Sequence, residues 1–119
     1  MTLTTDDRML LGLAAKAAGI ELLQWSDEWV GEPDCSGFQT KALDRWNPLE
    51  DDSDALRLAV KLKMEVYHSY DEGDGVAAGY PEAKPRIAYC IEYYKDEKDP
   101  YAATRRAIVR AAAAIGEFL

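Results

Sequence analysis

Apolar residues recur at helical spacing in three stretches of the chain and at strand spacing in others. Leu10, Leu13, Ala14 and Ala17 mark the buried face of a helix over residues 5–18; Thr4 or Thr5 suits its cap, Asp6 and Asp7 its first turn, and Gly19 its stop. Ile20 to Trp25 then reads as a strand. Breaks at Ser26-Asp27-Glu28 and Gly31-Glu32-Pro33-Asp34 interrupt a return run through Trp29-Val30 and Cys35 to Lys41, so this part predicts an irregular hairpin.

Asn47-Pro48 predicts a turn, because proline fixes its own φ and drives the preceding residue out of the helical region. Asp51, Asp52 and Asp54 follow, placed to accept bonds from the unpaired N–H groups of a helix start, and the Asp51/Asp54 spacing approaches a capping box. The helix carries Ala55, Leu58, Ala59 and Leu62 on one face; Leu56 and Val60 widen that face and leave Arg57 and Lys61 as the solvated strip. Met64 to Tyr70 alternates as a strand, with Met64, Val66, His68 and Tyr70 opposed to Glu65, Tyr67 and Ser69. Arg86 to Tyr94 is the strongest strand pattern, with Ile87, Tyr89, Ile91 and Tyr93 on one face and Ala88, Cys90 and Tyr94 making the other partly apolar, as expected for a sheet covered on both sides. Asp71 to Pro85, rich in Gly and Pro, reads as a long connecting loop. Asp99-Pro100, a cap followed by proline at the first helical position, opens the last helix, with Tyr101, Ile108, Ala111, Ala112 and Ile115 inward and Arg106, Arg110 and Glu117 opposite.

These elements predict one α+β domain spanning residues 1–119, in the order α-β-β-α-β-β-α. The expected architecture is an α/β/α sandwich of three helices about a mainly antiparallel sheet of about four strands. The block RWNPLEDDSDALRLAVKL and the later block ATRRAIVRAAAAIGEFL resemble the phage ABA sandwich domain family of small phage and prophage proteins. That family often carries Gly where this chain has Ser53, a difference of little physical weight since both residues are accepted around a helix start. The resemblance implies helices on both faces of a sheet. It implies no reaction, no catalytic residue and no cofactor.

Charge narrows the classes of partner. The net charge of -8 opposes nonspecific binding to nucleic acid or to an anionic membrane, and suits either solubility or an encounter with a basic partner. No run is long and apolar enough to span a membrane and no secretory leader precedes the first helix, so the expected setting is cytoplasm, with Cys35 and Cys90 as reduced, buried thiols.

Motifs for catalysis are missing: there is no Cys-x-x-Cys, His-Glu-x-x-His or Gly-x-Ser-x-Gly, and His68 is the sole histidine. Read as a calcium loop from Asp52, the sixth position is Arg57 and the twelfth Lys63, which breaks the ligand pattern; read from Asp71, Gly73 and Gly75 remove needed oxygens. The acidic group at Asp51–Asp54 is therefore read as capping, and no metal is expected. Gly73 to Gly79 has only loosely the spacing of a phosphate loop, and Asp71, Glu72 and Asp74 would repel phosphate.

Two features remain for binding. Trp25, Trp29, Phe38 and Trp46 crowd into one region, either as a stacking platform or as a core corner under the hairpin. Arg105, Arg106 and Arg110 form the one compact basic group, either a grip for a phosphate or acidic partner or a strip that is solvated or paired with acids of the same surface. The sequence reading is a phage-encoded accessory protein that binds a host or anti-phage defence protein without catalysis, with the wide face of the middle helix suited to a homodimer. The alternative is a protein that sequesters an anionic nucleotide where the 71–85 loop, the tryptophans and the arginines meet, within one subunit or across two, and an enzyme without a recognisable motif ranks last. The candidate ligand- or partner-binding residues are Trp25, Trp46, Asp74, Tyr80, Arg105, Arg106 and Arg110.

Overall fold

A computed structural model describes residues 5–26, 37–41, 44–69, 75–79, 90–93 and 99–119. Among these, the order is α1 (Thr5–Ala18), β1 (Leu22–Ser26), β2 (Gly37–Thr40), β3 (Arg45–Trp46), α2 (Asp52–Lys61), β4 (Glu65–Ser69), β5 (Gly75–Gly79), β6 (Cys90–Tyr93) and α3 (Pro100–Gly116). The class is α+β as expected, but the strands form two three-stranded antiparallel meanders, β1-β2-β3 and β4-β5-β6, in place of one sheet of about four.

The difference lies in two strands that the residue pattern hides. β3 is two residues long, too short for alternation to register. β5 is Gly-Val-Ala-Ala-Gly, poor in the β-branched and aromatic residues that mark strands, and it lies inside the stretch expected to be a loop. It is nevertheless the central strand of its sheet, and all of its residues are buried. Its small side chains are what allow a helix to lie close over it, so tertiary packing overrides a weak local preference.

Register sets the two faces of the second sheet. Val66, Ala78 and Cys90 share one cross-strand row, as do His68, Val76 and Glu92, and this face joins the helices in the core. Tyr67, Ala77 and Ile91 form a row on the other face, where Tyr67 and Ile91 are about half exposed. Cys90 and Glu92 therefore turn toward the helices and Ile91 away from them. Residues 86–89, which carried much of that alternation, lie outside the described residues, as do Tyr70, Trp29-Val30 and Cys35.

α1 and α3 run side by side in the same direction: Asp7 meets Arg106, Leu13 meets Gly116, and Lys16 Nζ donates to the Leu119 carbonyl at 2.8 Å. The contact is built from small residues, with Ala14, Ala15 and Ala18 facing a run that includes Ala103, Ala107, Ala111 and Ala112, all buried. Leu11, Val109 and Leu58 supply the bulk of the single core that joins all three helices to both sheets.

Both α1 and α2 end in the same backbone motif. Ile20 N–H donates to Ala15 O and Gly19 N–H to Lys16 O; Met64 N–H donates to Ala59 O and Lys63 N–H to Val60 O. This closure places its penultimate residue in the left-handed region, at φ 70° for Gly19 and φ 53° for Lys63. Glycine takes this conformation freely, whereas a side chain is strained there. Lys63→Gly is expected to stabilise the fold by about 1 kcal/mol, read as a higher urea midpoint at unchanged slope; a midpoint that falls would show that the Lys63 side chain makes a compensating contact.

The Trp46–Asp54 turn follows its local chemistry closely. The Asp51 side chain caps α2 by accepting from Asp54 N–H at 2.9 Å, the first half of the expected capping box. The second half differs: the Asp54 carboxylate reaches past Asp51 and accepts from Asn47 N–H at 2.9 Å. Asn47 is fully buried, its Oδ1 accepting from Leu49 N–H at 3.2 Å and its carbonyl from Glu50 and Asp51 N–H. Burial pushes the Asp54 carboxyl above the ordinary aspartate value of 3.8; the Asn47 bond draws it back and Asp51 adds to the rise. Its folded value thus exceeds its unfolded one, so its contribution is fully present below the unfolded value and is lost as pH rises through the folded value. Asp54→Asn keeps an oxygen for Asn47 N–H and removes the charge. Relative to the parent, it is expected to gain stability as pH rises through this acidic window and then to level off, a trend that denaturation at pH 3 to 7 reads out (roughly the carboxylate range). A flat difference would mean that Asp54 titrates alike in both states.

Candidate functional site

α2, β4 and α3 enclose an open cleft of about 500 Å³. Its floor is apolar: Ala55 and Ala59, one turn apart on α2, with Val66 of β4 and Ile108 of α3. Leu56 and Tyr101 stand at the rim, 64% and 69% exposed. His68, Thr104, Arg105 and Asp52 add polar groups. Leu56 and Val60, expected in the buried face of α2, are both solvent-facing, and so is Tyr101, expected inward on α3. The reason is the narrowness of the contact: α2 buries Ala55, Leu58 and Ala59, and the positions beside that stripe are left outside.

Local chemistry orients the two helix starts that bound the cleft. Asp99 Oδ1 accepts from Tyr101 and Ala102 N–H, with Pro100 at the first helical position, as expected. Thr104 Oγ1 donates to Pro100 O at 2.7 Å, which fixes its rotamer. Arg105 is the strut between the helices. Its Nε donates to Leu49 O at 2.8 Å and its Nη1 to Asp52 Oδ1 at 2.6 Å, while its side chain is only 16% exposed. Asp52, at 69% exposure, is the solvated half of this pair.

Those of the expected binding residues that the structure describes stand at different places in the fold. Arg105 lines the cleft. Arg106 and Arg110 instead face α1 and β6, where Arg106 meets Asp7 at 3.0 Å and Glu92 at 3.5 Å, and Arg110 meets Glu92 at 3.1 Å and donates to Ile91 O at 3.1 Å. These contacts tie α1, α3 and β6 together. They match the second reading of the basic strip, arginines paired with acids of their own chain.

Trp25 and Trp46 lie in one cross-strand row with Phe38 between them. Trp46 is buried in the core, and Trp25 and Phe38 pack against that core edge-to-face at 4.9 Å, with the Arg8 guanidinium 4.7 Å from the Trp25 ring centre. This is the core corner under the hairpin, built from aromatic stacking across strands. Asp74 and Tyr80 lie outside the described residues.

Cys90 is a free thiol. Burial pushes it above its ordinary value, partly offset by Arg110, which disfavours the thiolate needed of a nucleophile. Among the described residues no group of three or more His, Cys, Asp or Glu is placed to hold a metal ion, and no helix is long and apolar enough to cross a membrane.

Of the cleft residues, Leu56 and Tyr101 were expected in buried helix faces and Thr104 was given no role, so the sequence did not mark them as a site. The pairing of Ala55 with Ala59 marks a flat strip on α2, yet nothing local tells which helix lies opposite. Fold and site together define a small α+β domain with an interhelical cleft. Compared with models of known protein families, with curated proteins and with solved structures, the chain shows no match.

Proposed function

We propose that this domain acts by binding and not by turnover, and that the cleft between α2, β4 and α3 is where it binds. The observation that carries the reading is the exposure of Leu56 and Tyr101 beside an apolar floor of about 500 Å³. That volume falls within the roughly 300–1,000 Å³ of typical ligand pockets. Large apolar side chains gathered about a concave site favour a ligand that covers them.

The setting, a phage-encoded accessory protein acting in the host cytoplasm on a host or anti-phage defence component, rests on the resemblance of the Arg45–Leu62 and Ala103–Leu119 blocks to phage ABA sandwich proteins. A complete α/β/α sandwich belongs to the same proposal and would require helical cover over the Tyr67–Ile91 face. The anionic-nucleotide alternative has less support, because Arg105, Arg106 and Arg110 each already meet a carboxylate of the chain. A homodimer through Leu56 and Val60 would cover two of the exposed apolar side chains, and a monomer at micromolar concentration in sedimentation would remove it.

Thr104→Trp places a large ring in the cleft from a half-buried position. Native mass spectrometry of the protein purified from its host is expected to show a retained ligand or partner on the parent, reduced about tenfold or more on Thr104→Trp. A parent that retains nothing, or a variant that retains as much, would end this assignment.

A further inference from the structure

We infer that the cleft takes a neutral, flat heterocycle whose edge carries an N–H beside a C=O, as a lactam does. The inference rests on the binding role proposed for the cleft and specifies its ligand chemistry.

Shape is the first argument. Ala55 and Ala59 project only methyl groups, so the floor they form with Val66 and Ile108 is low and even, and suits the face of a ring. Tyr101, whose ring is largely in solvent, stands where it can cover the exposed face of such a ring.

Charge and hydrogen bonding supply the second argument. Arg105 and Asp52 both line the cleft, and they are joined to each other at 2.6 Å. The pair has no net charge, so it does not select for an anion, and the net charge of -8 opposes one further. Beyond its bonds to Leu49 O and Asp52 Oδ1, the Arg105 guanidinium has N–H groups with no acceptor among the described residues, and Asp52 has a second oxygen with no donor among them. A donor and an acceptor therefore sit side by side at the mouth of an apolar floor. A lactam edge is their complement: its C=O accepts from Arg105 while its N–H donates to Asp52. Leu49 O and Asp52 already hold the guanidinium in place, so little side-chain freedom is lost on binding.

The test uses inosine, 1-methylinosine and inosine 5′-monophosphate as probes, titrated into the isotope-labelled protein and followed by amide and methyl resonances. Inosine is expected to shift Ala55, Ala59 and Thr104. It should bind about tenfold or more tightly than 1-methylinosine, which lacks the ring N–H. Asp52→Ala, at an exposed position, should keep the fold and erase that preference. The monophosphate should bind no more tightly than inosine. No shift at these residues up to the solubility limit, equal binding of the methylated probe, or tighter binding of the monophosphate would each overturn the inference. A different species retained by the parent and lost from Thr104→Trp would overturn it while leaving the binding role of the cleft intact.

Discussion

Gly116→Ala is expected to destabilise the protein by about 3 kcal/mol or more, at the upper end of what overpacking a core costs. A Cβ at Gly116 would fall on the backbone carbonyl of Leu13, and the neighbouring Leu13 carbon atoms are also too close. The obstacle is backbone within a helix, so no side-chain rotation relieves it; α1 and α3 must separate. Separation would loosen the alanine seam along the whole pair and pull Arg106 from Asp7. Gly12→Ala is the matched control. That position is exposed on α1 with nothing within 4 Å of a new Cβ, so the same substitution should stabilise by about 1 kcal/mol. Urea denaturation of the two variants checks both signs. If Gly116→Ala proved neutral, the close parallel packing of α1 on α3 would be wrong.

Asn47→Ala is expected to cost about 2–3 kcal/mol, from a buried donor left without its partner together with the void left by the amide. Asn47 is completely buried, and its Oδ1 accepts from Leu49 N–H. The backbone bonds of Asn47 to Asp54, Glu50 and Asp51 survive the substitution, so the turn should persist but loosen. Its effect should reach the cleft, because Leu49 O anchors Arg105. Hydrogen exchange at the start of α2 should quicken more than exchange in α1. A loss below about 0.5 kcal/mol, the usual range for surface substitutions, would mean that water replaces the lost acceptor.

The elements legible in the sequence are those whose causes are local. Asp51 and Asp99 cap helices by bonding N–H groups two or three residues on, and Gly19 ends α1 because that turn needs a positive φ. Such signals need no knowledge of the rest of the chain. The aromatic cluster was likewise legible as a candidate core corner, since Trp25, Phe38 and Trp46 lie on neighbouring strands of one meander. β5 was not legible: glycine and alanine have little strand preference, and that segment is held by its neighbours β4 and β6 and by α3 above it.

Residue order and local backbone chemistry thus determined three helices, the Asp51 and Asp99 caps, the Gly19 stop, most strand positions and an acidic chain. Tertiary structure decided everything that depends on which elements meet. It turned Leu56 and Tyr101 outward, sent Arg106 and Arg110 to Glu92, and brought Arg105 to Leu49 and Asp52 across 56 and 53 residues of chain. The physical reason is range: capping and periodicity act within a helical turn or two, whereas a cleft exists only where distant surfaces are brought together by burial of a shared core.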